Sequence, residues 1–120
     1  MKKKTFAFDI DNTICKTVKN LYKKSKPNYR IIKLINKLSN DGHLIKIFTS
    51  RYMGRNNENA YLVKKKYYKV VEQDLVKWGV KFNKLILGKP SYDYIIDDKA
   101  LNINNKQTLK LLKNFIIKKK

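Results

Sequence analysis

Four short apolar runs divide the chain: Phe6-Ala7-Phe8 with Ile10, Leu44-Ile45 with Ile47-Phe48, Leu85-Ile86-Leu87, and Tyr94-Ile95-Ile96. Each has the length of a strand, and between them apolar residues recur at spacings of three and four, which is the helical period. Ile31, Leu34, Ile35 and Leu38 mark one helix, introduced by Pro27-Asn28 and stopped at Asp41-Gly42. Val71, Leu75 and Trp78 mark a second, ended by Gly79, and Leu109, Leu112, Phe115 and Ile116 mark a third. Residues 51–69 read both ways, because Asn56, Asn57 and Asn59 favour a loop while Ala60–Lys66 suits a helix. Strands alternating with helices predict an α/β fold with a mostly parallel sheet flanked by helices. The few polar positions in Lys4–Ile10 predict a strand covered on both faces.

With 120 residues there is room for one domain, 1–120, around one core. The chain is 42% hydrophobic and 12% aromatic, enough apolar surface to offset ordering entropy, so it is expected to fold. The start Met1-Lys-Lys-Lys resembles a secretory signal, but Asp9 and Asp11 interrupt the apolar stretch, and no export is expected. No run reaches the roughly 20 apolar residues of a membrane helix, so membrane insertion is not expected. The single Cys15 is expected to be a small packing residue, in keeping with a cytoplasmic location. His43, beside Gly42, and the aromatic stripe Tyr61, Tyr67, Tyr68 and Trp78 read as structural, the stripe as core or dimer interface.

The net charge of +20 would attract nucleic acid, anionic lipid or phosphorylated substrates. However, 26 lysines, 13 asparagines and 13 isoleucines make up 52 of the 120 residues, and all three are spelled by A/T-rich codons. The lysines are also spread along the chain to a frayed Lys118-Lys119-Lys120, and arginines number only three. A dedicated nucleic-acid surface concentrates its cations and favours arginine, so nucleic-acid binding is not the expected main role.

Asp9-x-Asp11, Thr49-Ser50 and Asp97-Asp98 each fall at the end of an expected strand, the edge where parallel sheets bind ligands. Four of nine acidic residues are thus candidates for one crevice, where each close pair would repel by about 4 kcal/mol at intermediate dielectric. A bound cation would offset that cost, and an all-oxygen set with no Cys or His selects a hard ion, Mg²⁺. One aspartate can then attack phosphorus while the second protonates the leaving oxygen and deprotonates water. Thr49 or Ser50, together with Lys89, can hold the phosphoryl oxygens.

Asp9-Ile-Asp11-Asn-Thr13, then Thr49-Ser50, then Lys89, then Asp97-Asp98, resemble the four motifs of the haloacid dehalogenase (HAD) superfamily of phosphotransferases. The resemblance covers about residues 5–105. "TSRYMGR" and "GKPSYDYIIDDKA" are more narrowly similar to small capsule-biosynthesis phosphatases. The resemblance implies a Rossmann-like HAD core. It casts Asp9 as nucleophile and Mg²⁺ ligand, and Asp11 as general acid/base with its backbone carbonyl on the metal. Thr49 would bond the phosphoryl group, Lys89 would neutralise it and orient Asp9, and Asp97 would bind Mg²⁺ directly or through water with Asp98 beside it. Ser50, Arg51 and Arg55 are expected to contact substrate.

Asn12 replaces a common glycine but also reaches left-handed backbone angles. Lys89 lies eight residues before Asp97 with Pro90 between, so it is expected to enter from a loop. Segments of this length leave no room for a cap domain, and the open site suits a bulky substrate or a neighbouring subunit that completes the pocket. The expected activity is Mg²⁺-dependent hydrolysis of a phosphorylated sugar or related small metabolite of surface-polysaccharide synthesis. The alternatives are a phosphatase acting on nucleic-acid ends, or a non-catalytic basic binding module on the same fold.

Overall fold

The computed structural model describes residues 2–117; the Lys118–Lys120 run lies outside them. Strand β1 (Thr5–Phe8) is followed by a small hairpin, β2 (Cys15–Lys16) with β3 (Lys26–Pro27), and then by helix α1 (Tyr29–Asn40). Strand β4 (Leu44–Thr49), helix α2 (Ala60–Lys77), strand β5 (Lys84–Leu87) and helix α3 (Lys106–Lys113) complete the order. The fold is α/β: β1, β4 and β5 form a parallel three-stranded sheet in the order β1-β4-β5, flanked by helices.

Asparagine side chains start all three helices. Asn28 accepts from Ile31 N–H at 3.4 Å, Asn59 from Leu62 at 3.1 Å and Asn105 from Gln107 at 2.9 Å, each satisfying an orphan donor of the first turn. The cap at Asn59 decides the ambiguous stretch, since one uninterrupted helix runs from Ala60 to Lys77. At the other ends, Gly42 (φ 90°) and Gly79 (φ 76°) take left-handed angles that turn the chain into β4 and toward β5.

The register aligns the functional ends of the strands. Phe8 pairs with Ile47 and Thr49 with Leu87, so the loops after β1, β4 and β5 leave the same edge. Phe8, Ile45, Ile47, Thr49, Leu85 and Leu87 are buried on one face with Ile31, Ile35 and Leu38 of α1 and Val71 and Leu75 of α2. Burying each large aliphatic side chain contributes roughly 1.5–3 kcal/mol. The other face is only half covered, and Thr5 and Ala7 are exposed. The expectation of a β1 covered on both faces is therefore corrected.

The reason is that the fourth expected strand does not form. Tyr94, Ile95 and Ile96 are exposed, Ile96 at 97%, and no strand pairs with the outer edge of β1 among the described residues. A three-residue apolar run between Pro90 and a local turn gains too little from pairing. Asp97 Oδ1 accepts from Lys99 N–H at 2.9 Å, and such bonds compete with strand pairing.

His43 and Cys15 are buried, as expected of structural residues. His43 Nδ1 accepts from Lys4 N–H at 3.0 Å, and its Nε2 bonds the Phe115 carbonyl at 2.9 Å, tying the C-terminal segment to the start of β1. The aromatic stripe splits: Trp78 is buried and Tyr67 stacks on Tyr52 at 3.9 Å, but Tyr61 and Tyr68 face solvent. Among the described residues no helix is long and apolar enough to cross a membrane, and no further folded unit caps the strand ends.

Candidate active site

Asp9 is the first residue beyond β1, and Lys89 arrives from the loop after β5 through Gly88 (φ 89°), as the spacing to Asp97 led one to expect. Lys89 N–H bonds the Thr49 carbonyl at 3.2 Å, which fixes the lysine against the end of β4. Its Nζ stands 3.8 Å from Asp9 Oδ1 and 4.9 Å from the Tyr92 ring centroid, and the side chain is buried. Burial raises the Asp9 carboxyl above its ordinary value, opposed chiefly by the Lys89 charge and then by the Ile10 amide. Its side chain nevertheless keeps 33% exposure and faces a crevice of about 760 Å³. Asp11, Lys89, Tyr92 and Asp97 line the same crevice.

Asn12 adopts φ 61°, which lets the chain turn sharply after Asp11 and return to β2. Asp11 is held from behind. Thr17 Oγ1 donates to its Oδ1 at 2.5 Å, while Arg51 Nε lies 3.1 Å from Oδ1 and 3.0 Å from Oδ2. Arg51 is 1% exposed. Its Nη1 donates to Asp74 Oδ2 at 3.1 Å and its Nη2 to Ser25 Oγ at 3.0 Å, and its guanidinium lies over Tyr22 and Trp78 at 4.9 and 5.7 Å from the ring centroids. Burial disfavours the Arg51 charge, but hydrogen bonds and charge from Asp11, with Asp74 behind, outweigh it and hold its pKa above the ordinary arginine value. The next residue, Tyr52, sits at φ 69°, a strained conformation for a bulky side chain that accompanies the inward turn of Arg51.

None of Thr49, Ser50, Arg51 and Arg55 lines this crevice. Arg51 is turned inward to Asp11, Asp74 and Ser25, an internal brace joining the β1 loop, the hairpin and α2. Arg55 is exposed but donates to the Asn20 carbonyl and packs over Tyr22 at 5.0 Å, lining neither large concavity. Ser50 is half-buried and also lines neither. Thr49 is buried, and its Oγ1 accepts from Arg51 N–H at 3.1 Å, so its hydroxyl faces inward.

Asp97 reaches the crevice but Asp98 does not. The Lys99 amide, with help from Asp98, holds Asp97 below the usual carboxylate range. Without the fourth strand, no three acidic, His or Cys side chains among the described residues come close enough to ligate one ion. The oxygen donors suit Mg²⁺ in kind, yet Asp9 and Asp11 are already neutralised by Lys89 and Arg51. The expected ligand set Asp9, Asp11, Asp97 and Asp98 is thus not assembled in this arrangement.

Asp74, Thr17 and Ser25 were missed from sequence. Asp74 had a signal: with Val71, Leu75 and Trp78 it completes an i, i+3, i+4, i+7 stripe, so an acid on a buried helical face called for a buried cation. Thr17 and Ser25 had none, being ordinary members of a polar connection. Cys15 Sγ touches Arg51 and Thr17 in this network, and burial pushes its thiol up, which favours the protonated form.

The backbone is similar to the crystal structure of a target protein from Vibrio cholerae, with a TM-score of 0.78 at 23% identity, covering 92% of this chain and 97% of that one. The likeness is one of fold. No protein-family model and no curated protein matches the chain.

Proposed function

We propose that the chain is a phosphomonoesterase of the HAD type that works through an aspartyl-phosphate. One observation carries the reading: Asp9 and Lys89, from the loops after β1 and β5, meet at 3.8 Å in one crevice that Asp11 and Asp97 also line. In this reading Asp9 Oδ attacks phosphorus, the ester P–O bond breaks, and the leaving oxygen takes a proton from the Asp11 carboxyl. Water then attacks the phosphoaspartate and returns a proton to Asp11, which frees phosphate and regenerates Asp9. Lys89 balances charge on the transferring group from a fixed, largely dry position. Arg51 and Thr17 hold both Asp11 oxygens, so before Asp11 can act as the acid this ion pair must open on one side and that oxygen must take up a proton from solvent at the crevice, where the side chain keeps 22% exposure.

Mg²⁺ is the proposed cofactor, on the resemblance of the motifs and the hard-oxygen character of Asp9 and Asp97. Among the described residues these donors are not gathered around one point, so binding the ion would require Asp97 to move toward Asp9. A phosphorylated sugar or related metabolite of surface-polysaccharide synthesis is the proposed substrate, on the similarity of residues 49–55 and 88–100 to capsule-biosynthesis phosphatases.

Phosphate release from a broad phosphomonoester panel tests the reading. Asp9→Asn is expected to abolish turnover of every accepted substrate with the circular dichroism spectrum unchanged, and retained turnover would remove Asp9 from the role. Chelation should silence the enzyme and added Mg²⁺ restore it; activity in excess chelator would count against the metal.

A further inference from the structure

Two concavities meet at Asn12-Thr13. The crevice beside β1 carries both signs of charge, with Asp9, Asp11 and Asp97 against Lys89 and Lys99. The other, about 1080 Å³, runs between the β2–β3 hairpin, the start of α1 and α3. Lys16, Lys26, Arg30, Lys106, Lys110 and Lys113 line it, and no acidic residue does. All six are exposed, and none takes part in an ion pair among the described residues.

Lys106, Lys110 and Lys113 follow one another at spacings of four and three on one face of α3, where like charges destabilise a helix by a few tenths of a kcal/mol per pair. A chain this basic puts lysines everywhere, so the number of cations alone decides nothing. The informative feature is segregation: three of the nine acidic residues line one concavity and none lines its neighbour, although the two share Asn12, Thr13, Ile103 and Asn104.

We propose that this groove is a subsite for an oligophosphate tail. The substrate is then a phosphomonoester at the end of a short chain of further phosphate groups, its terminal group at Asp9 and its tail along the groove. The proposal rests on the phosphomonoesterase reading and departs from the small sugar phosphate that the motif resemblance suggested, because the groove beside the crevice calls for a longer, polyanionic substrate. Tyr29, 64% exposed and on the groove wall, offers a flat apolar face for a unit between phosphates.

The test uses the whole chain, a groove variant (Lys26→Glu, Lys110→Glu, Lys113→Glu) and a control (Lys65→Glu, Lys69→Glu, Lys84→Glu) whose lysines line neither concavity. The probes are p-nitrophenyl phosphate, a fluorescent end-phosphorylated tetranucleotide, and tripolyphosphate as competitor. Fluorescence anisotropy should show the groove variant binding the tetranucleotide at least about tenfold more weakly, with the salt slope reduced by about two, while the control changes far less. Turnover of p-nitrophenyl phosphate should stay within about twofold in both variants.

Displacement of the tetranucleotide by tripolyphosphate would extend the subsite to anhydride spacing, and its failure would restrict it to diester spacing; both support the proposal. Equal weakening in the two variants, or no preference for the tailed probe over p-nitrophenyl phosphate, would overturn it. Binding that depends on the groove with no turnover of any probe would support the groove while overturning the reaction proposed above.

Discussion

Arg51 shows how far a residue can be read from its neighbours in sequence. Its position just after the β4 loop motif pointed to substrate, yet it lies 1% exposed between Asp11 and Asp74. Removing the charge strands two carboxylates, so Arg51→Met should cost about 3 kcal/mol, at the low end of the range for broken buried pairs because both carboxylates keep some solvent contact. Arg51→Lys should recover only part of this, since an ammonium cannot reproduce the fork that bridges both partners. Urea midpoints of the two variants measure the order. Asp9 makes a prediction about pH. Its folded pKa is raised above the ordinary 3.8 by burial, so the folded state binds more protons and Asp9's contribution is fully present below 3.8 and is lost as pH rises through its folded value. The melting temperature of Asp9→Asn minus that of the parent should therefore increase as pH rises from 3.8, and a flat difference would contradict the shift.

At the level of elements, apolar periodicity located α1, β4 and β5 closely because local pattern and tertiary burial agree there. It failed at Tyr94–Ile96, where the pattern says strand and nothing pairs with it. Ile96→Asp should change stability by no more than about 0.5 kcal/mol, whereas Ile47→Ala in the central strand should cost about 2–5 kcal/mol. A large loss at Ile96 would mean that the segment joins the outer edge of β1 in solution. Helix α2 began earlier than the pattern favoured because the Asn59 side chain can cap it, so Asn59→Ala should cost about 1 kcal/mol and Asn28→Ala a similar amount, measured in the same urea titrations. Asparagine looked like a loop residue by composition; its place before each helix gave it a second use.

For the whole molecule, a charge of +20 meets only three ion pairs among the described residues, so self-repulsion should dominate the salt response. Thermal melts should shift upward as ionic strength rises from low salt to about 0.15 M, where the Debye length falls to about 8 Å. The α/β class, the parallel strands and the gathering of Asp9, Asp11 and Lys89 at one sheet edge were legible in the chain, because alternating periods force strands and helices to stack and bring strand ends to one side. The inward Arg51, the inward Thr49 hydroxyl, the failure of Tyr94–Ile96 to pair with β1 and the sign-segregated groove were not. Those depend on which side chain wins a buried partner and which segment finds a place in the sheet, contests between residues far apart in sequence that only the folded arrangement decides.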